Sequence, residues 1–364
     1  MTAYIIRRLL LIVPTLFVIM LINFVVLQFL PGGPVEQVIA QITQTGPGIT
    51  ERITQGQSGE VALPVGEGNQ STYRGAQGLD DEFIAELERQ FGFDKPLHER
   101  FFLMVGNYAV FDFGDSFFRD EPVVDLILDK MPVSISLGIW STLLIYLVSI
   151  PLGIAKAVRD GQRFDIWTSG IVVVATAVPG FLFAVFLLIV FAGGEYFSIF
   201  PLRGIVSDNW EELPLGQQIL DYLWHMVLPT VSMAIGGFAA LTMLTKNSFL
   251  DQINQQYVVT ARAKGLEDKR VLYGHVFRNA MLIVVSGFPA ALVGMLFTGA
   301  VLIETIFSLD GLGLLGFEAV FNRDYPIVLG TLYFFTLLGL ILGLVTDLTY
   351  TLIDPRIDFE SRET

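Results

Sequence analysis

The chain has no cysteine among its 364 residues. Disulfides, thiolate metal sites and a cysteine nucleophile are therefore excluded. Histidine is scarce: His98, His225 and His275 lie far apart, which argues against a histidine-rich metal site. Charge is scarce as well. Only 16% of residues are Asp, Glu, Lys or Arg, against roughly 25% in average soluble domains. The net charge of −14 has the wrong sign for nucleic acid. A phosphate-cradling G-x-x-x-x-G-K-[ST] loop is also missing. Lys95, Lys130, Lys156, Lys246, Lys264 and Lys269 follow Asp, Asp, Ala, Thr, Ala and Asp, never Gly. No internal repeat is visible.

Apolar length, by contrast, is plentiful: 53% of residues are hydrophobic and 30 are Phe. Six apolar runs stand out: Tyr4–Leu30, Ser134–Ala157, Ile166–Phe191, Leu223–Leu244, Met281–Ile303 and Ile327–Leu348. Each is close to the ~20 residues that cross about 30 Å of hydrocarbon. The first run is longer than a signal-peptide core of about 7–15 residues and ends in Pro31-Gly32-Gly33-Pro34, so it reads as an uncleaved span. Pro179, Pro229 and Pro289 lie inside runs, near Gly180, Gly236-Gly237 and Gly287. In lipid, neighbouring helices re-satisfy the backbone groups that proline frees. Kinks at a gate and plain packing by small residues both fit.

Lys and Arg mark the sidedness. Arg159 and Arg163, with Lys156 at the edge, occupy the 157–165 loop, and the 245–280 segment is basic. The loops 194–222 and 304–326 carry only Arg203 and Arg323. The basic side is expected to be cytoplasmic, with both termini there. The expected organisation is residues 1–30 as the N-terminus and first span, and 31–132 as a periplasmic insertion. Residues 133–352 would form the remaining spans, and 353–364 a cytoplasmic tail.

The insertion has two halves. Gln41–Gly78 is rich in Gly, Gln and Thr and reads as a flexible stretch. Asp80–Phe91 spaces Phe83, Leu87 and Phe91 as a helix, after Asp80 and Asp81 as caps. With Phe101-Phe102-Leu103-Met104 and Phe111–Phe118 it is expected to form a small helical cap over the membrane. The acidic excess collects in this insertion. That suits solubility or the docking of a partner.

Gln256–Ala280, QYVVTARAKGLEDKRVLYGHVFRNA, is the most informative stretch. It is water-side sequence held between apolar runs. Tyr257, Ala261 and Gly265 fall at i, i+4 and i+8, on one helix face, where small residues let another surface approach closely. Gly265 is expected to cap the first helix in a left-handed conformation, with a second helix at Lys269–Phe277. A basic helix lying on anionic lipid is the plainer alternative.

This stretch resembles the cytoplasmic "EAA" loop of ABC-importer permeases, in the dipeptide/oligopeptide form YVxTARAKGL followed by HxxRNA. Here it stands as Tyr257-Val258-Val259-Thr260-Ala261-Arg262-Ala263-Lys264-Gly265-Leu266 and His275-Val276-Phe277-Arg278-Asn279-Ala280. The general family has Glu-Ala-Ala before the Gly and Ile-x-Leu-Pro after it. This chain has Val259-Thr260-Ala261 and His275-Val276-Phe277-Arg278 there, so the roles of that Glu and Pro do not carry over. The resemblance continues in Tyr4–Leu9, Pro31–Pro34, Asp112-Phe113-Gly114-Asp115-Ser116, Glu304–Gly313, Arg323-Asp324-Tyr325-Pro326 and Asp354-Pro355-Arg356-Ile357. With its long Gly-rich insertion, the chain is most similar to the Yej-type branch of peptide-importer permeases.

The resemblance implies an all-α integral membrane protein of the type I ABC importer permease fold, with six transmembrane helices. It implies a non-catalytic subunit without cofactor or metal that moves oligopeptides inward, peptide–nucleotide antibiotics of the microcin C kind included. Its partners would be a second permease, a chain of two fused ATPase domains, a periplasmic peptide-binding protein and membrane lipid. Tyr257, Thr260, Ala261, Arg262, Ala263, Lys264, Gly265 and Leu266 would form the loop that receives the ATPase. Arg278, Asn279, Gly311, Gly313, Asp324 and Pro326 would belong to the permease signature. Two other classes stand beside this reading. A membrane-embedded hydrolase needs a paired acid/base or HExxH constellation at depth, and His225 has no obvious acidic mate. An ion-coupled transporter or channel needs charged groups at membrane depth. The mid-spans carry none, and Asp347 near the end of the last run is the main candidate.

Overall fold

The computed structural model describes residues 2–29, 33–42, 81–90, 93–194, 196–297 and 301–353. Almost all of Gln41–Gly78, together with Asp80, Phe91, Pro31-Gly32 and the tail from Asp354, lies outside the described residues. The described residues are helical, with one isolated bridge between Asp115 and Pro122. Among the described residues, five helices are long and apolar enough to cross a membrane, or six if one bent pair counts as a single span.

The chain divides into two units. One comprises Met1–Leu9, Lys130–Leu314 and Leu338–Thr364; the other comprises Leu10–Asp129 and Leu315–Leu337. Several helices run through both: α1 (Thr2–Phe29), α5 (Val123–Val158), α14 (Leu312–Asn322) and α15 (Tyr325–Ile353). The smaller unit also holds α2 (Pro34–Ile42), α3 (Asp81–Gln90) and α4 (Leu97–Ala109). There Val35 and Ile39 of α2 bury against Ile84 and Leu87 of α3. α5 starts at Val123, after Pro122, and passes through Pro132, so helix begins well before the Ser134 at which the apolar run starts.

The larger unit adds α6 (Arg163–Ala177), α7 (Gly180–Phe191), α8 (Leu215–Ile253), α9 (Gln256–Ala263), α10 (Asp268–Val271), α11 (Phe277–Ser286), α12 (Phe288–Phe297) and α13 (Val301–Ile306). The run Ile166–Phe191, expected as one continuous span, is instead two helices bent by 94°. Val178 precedes a proline, which drives it out of the α region. It sits at φ −85°, ψ 120°, and Pro179 then opens α7. Pro229, by contrast, stays within continuous α8. α5 and α8 cross closely. A Cβ on Gly153 would lie 2.6 Å from Thr245 Cβ and 2.8 Å from the Thr242 carbonyl. Only glycine admits that approach.

The run Met281–Ile303 also differs from expectation. An apolar helical stretch already begins at Asp268 and reaches Leu292. α10 continues through a π-helical turn, Leu272–Val276, straight into α11. The expected free-standing helix Lys269–Phe277 is therefore the first part of a membrane-entering helix. No proline separates Lys269 from Ser286, and the one glycine, Gly274, falls inside the π turn, where the helix is carried on. π turns of this kind cluster at functional sites.

Candidate functional site: the loop between α8 and α11

α9 follows α8 after a two-residue turn, with extended Gln255 at its N-cap. Its inner face is fixed by spacing. Val258 and Ala261 are buried with Ile154 and Ala157 of α5, Phe249 of α8, Val271 of α10, Val276 and Ala280. Tyr257 and Leu266 pack on the same core, and Tyr257 Oη donates to Gln252 Oε1 at 2.9 Å. This corrects the expected docking face. Tyr257 and Ala261 point into the chain's own core, because 257, 258 and 261 make one apolar stripe. The small side chain of Ala261 serves this internal packing.

Gly265 ends α9 as expected, at φ +82°. Its N–H donates to the Arg262 carbonyl at 2.9 Å, and the Leu266 N–H donates to the Ala261 carbonyl at 3.3 Å. These two bonds, with Leu266 folded onto the core beside Ala261, are a Schellman cap. The exposed ridge of α9 is Val259, Thr260, Arg262, Ala263 and Lys264, with Val259 56% exposed. Arg262 Nε braces the loop by donating to Asp268 Oδ1 at 3.0 Å. A groove of about 420 Å³ runs beside it, floored by Val158, Ile253, Val258 and Val276. Arg278 and Asn279 are exposed on α11, and Ser248 of α8 donates to the Ala280 carbonyl at 2.6 Å.

Next to this seat lies a charge cluster that sequence reasoning missed. Lys156 was counted as a loop-edge cation, yet its side chain is fully buried. Its Nζ is 2.9 Å from Asp165 Oδ1 and donates to Ser169 Oγ at 2.6 Å and Thr168 Oγ1 at 3.0 Å. Lys246 of α8 holds Asp165 Oδ2 and Asp160 Oδ1, each at 2.8 Å. The ends of α5, α6 and α8 are thereby tied at one carboxylate. The only sequence signal was Lys156 and Asp165 flanking the short turn at Gly161.

The signature residues separate into two places. In the larger unit, Gly311 and Gly313 surround Glu304, which is buried. Glu304 Oε2 accepts the Leu314 N–H at 2.7 Å and Oε1 accepts Ser134 Oγ at 3.2 Å. Ser134 Oγ in turn accepts the Leu312 N–H at 2.9 Å. A carboxylate thus caps the N-terminus of α14, where backbone N–H groups and the helix dipole favour negative charge. A Cβ on Gly311 would sit 2.5 Å from the Glu304 carboxyl carbon. In the smaller unit, buried Asp324 accepts Ser116 Oγ at 2.5 Å and the Phe117 N–H at 3.2 Å. D-F-G-D-S and R-D-Y-P, which include Asp324 and Pro326, therefore meet. Arg323 adopts φ 58° at that turn. Asp347, the main candidate for a titrating group, is held by Arg8 and Tyr4, each at 2.8 Å.

A many-span helical protein that lacks a phosphate loop and seats a capped basic helix on its span ends fits the class of transporter permeases. The chain belongs to the family of binding-protein-dependent transport system inner membrane components, whose model matches residues 149–359. It is a multi-pass inner-membrane permease subunit and not an enzyme. It is 59% identical, over the full length of both chains, to the peptidoglycan transport system permease protein YejB of Agrobacterium fabrum. It is 58% identical, again over both full lengths, to the inner membrane ABC transporter permease protein YejB of Escherichia coli O157:H7. The oligopeptide transport system permease protein AppB of Bacillus subtilis shares 30% identity over 99% of this chain and all of its own.

Proposed function

We propose that the chain is one of two permease halves of an ATP-driven importer that brings oligopeptides from periplasm to cytoplasm. The second half would be a YejE-like permease. A YejF-like chain would supply two fused ATPase domains, and a YejA-like periplasmic protein would deliver the peptide. The reading rests chiefly on α9. Its inner face is locked into the core by Val258 and Ala261, while Val259, Thr260, Ala263 and Lys264 stand outside. A helix seated in this way moves with α5 and α8, so a push on its ridge is passed to the spans. Gly265→Leu places a β-carbon at φ +82°, a conformation that costs such residues roughly 1–2 kcal/mol. It should leave insertion intact and abolish uptake. Wild-type transport by that variant would remove the loop from the coupling role.

The topology proposed with this reading is six spans, counting the bent α6–α7 pair as one, with both termini cytoplasmic and 31–132 periplasmic. Phosphatase fusions near Gly66 should be active, and those at Gly265 inactive. Gln41–Gly78 should be dispensable for at least partial transport. The decisive experiment uses proteoliposomes holding the whole complex. Peptide entry should require ATP on the loop side and binding protein on the other, and should persist when a protonophore collapses the proton gradient. Uptake driven by a gradient without ATP would favour the ion-coupled alternative. A second cargo reading, peptides released from cell wall, is favoured by the printed name of the Agrobacterium relative. Competition between labelled muropeptides and unmodified oligopeptides separates the two, with microcin C-like conjugates as a third competitor.

A further inference from the structure

We infer that a cavity in the smaller unit, walled by α4 and by the ends of α1 and α15 remote from Arg8 and Asp347, is a subsite for the last residue of an incoming peptide, its free carboxylate included. The inference rests on the oligopeptide-import reading and names where such a substrate is held on this chain. Position comes first. Arg8 and Asp347 pair at 2.8 Å near one end of α1 and α15. Gln28 of α1 and Tyr325 of α15, both in the cavity wall, each lie about 30 Å of helix from that pair, at 1.5 Å per residue. That is a hydrocarbon thickness, so the cavity lies at the membrane surface opposite Arg7-Arg8. In the topology proposed above this is the periplasmic side, where peptide arrives, and α4 covers the cavity from the periplasmic insertion.

Charge comes second. Residues 81–129 include 12 acidic side chains and only four basic ones, Arg89, Lys95, Arg100 and Arg119. Two of those four, Lys95 and Arg100, line this one cavity. Arg119, by contrast, is paired with Glu318 at 2.8 Å. The Arg100 guanidinium lies 4.0 Å over the Phe93 ring and reaches Gln28 Oε1 at 3.5 Å, so it is held against the wall. Asp112 is the one acid in the lining, and its Oδ1 already accepts the Gly114 N–H at 3.0 Å. A cationic wall set into an acidic stretch selects an anion, and a guanidinium beside an ammonium suits a carboxylate through charge-assisted bonds. Fit comes third. The cavity holds about 290 Å³, just below the roughly 300–1,000 Å³ of small-molecule sites. That is room for one residue and its carboxylate, not for a whole peptide. Phe93, Tyr108, Phe113 and Tyr325 line it and offer contact area to an apolar side chain. Tyr108 and Phe113 pack edge to face with centroids 4.9 Å apart, which fixes that part of the wall. A terminal carboxylate is common to unmodified peptides of any sequence, so holding it leaves sequence tolerance intact.

The test uses the complete importer in proteoliposomes, illuminated during ATP-driven uptake of alanine tetrapeptides that carry one photo-leucine. Adducts on this chain are mapped by mass spectrometry. Photo-leucine as the last residue should label the cavity wall at Met104 or Tyr108, and photo-leucine as the first residue should label it far less. Amidating the C-terminus should cut the cavity adduct about tenfold. The pair Lys95→Ala with Arg100→Gln should cut it to the same extent, whereas Lys95→Arg should keep it. Thermal melting shows whether the variants stay folded. If the double variant melts early, Met104→Trp, which fills the cavity and leaves its charges, must remove the adduct by itself. Equal labelling by acid and amide, equal labelling of the folded variants, or a segment of the binding protein found in the cavity in place of peptide would overturn the site. Uptake of the same peptides is recorded throughout. Normal uptake with an unlabelled cavity ends this subsite and leaves the importer reading standing, whereas no ATP-driven uptake of any peptide ends both.

Discussion

Asp165 and Glu304 are both buried carboxylates, and both are held from the same helix, α5, yet they are stabilised by opposite means. Asp165 is matched by two ammonium groups, Lys156 and Lys246. Glu304 is met by backbone N–H groups at the start of α14 and by Ser134. Ser134 and Lys156 are roughly 33 Å apart along α5 at 1.5 Å per residue, about a hydrocarbon thickness. The two sites therefore bracket the span. The contrast separates flexible from fixed neutralisation. Lysine side chains rotate and exchange partners, so the Asp165 joint tolerates movement among α5, α6 and α8. Backbone donors do not rotate, and Gly311 and Gly313 leave no spare room around Glu304.

The largest expected effect tests the cation-paired site. Lys156→Met removes a fully buried partner, and breaking a buried pair costs roughly 3–5 kcal/mol. A large drop in the melting temperature of the purified complex is expected. A melt within error of wild type would mean that Lys246 alone neutralises Asp165. The next tests the fixed site. Gly311→Ala forces a methyl against the Glu304 carboxylate and should cost about 1–3 kcal/mol as overpacking. Adding Glu304→Ala should recover part of the loss; no recovery would separate the glycine from the carboxylate. Glu304→Gln keeps the shape and one acceptor but gives up a charge-assisted bond, at roughly 1.5–3 kcal/mol when fully lost. Its melting curve should fall between those of Gly311→Ala and wild type. The smallest effect is expected from Asp160→Asn. Asp160 pairs with Lys246 at 2.8 Å but is 51% exposed, and exposed pairs contribute about 0–1 kcal/mol. A cost as large as that of Lys156→Met would show that the cluster acts as one unit and that burial is not what ranks its members.

Local features were legible in the sequence. The apolar runs identified a membrane protein because about 20 apolar residues are a length requirement, written in consecutive positions. Gly265 was readable as a cap because its demand for positive φ is its own. The family resemblance rested on the loop and on short motifs of the same local kind. Other features depended on where distant segments come together. No pattern announced that Ser116 would meet Asp324, 208 positions away. Nor did any pattern show that Lys156 would be buried, or that Glu304 would cap a helix starting eight residues later. The face of α9 was misassigned for the same reason. Spacing says which residues share a face, and only the packed neighbours Ile154, Phe249 and Val276 say what that face meets. Helix length, capping and membrane class follow from interactions within a few residues, so composition and order determine them. Which buried charge finds which partner depends on close contacts between remote segments, and the tertiary structure alone decides those.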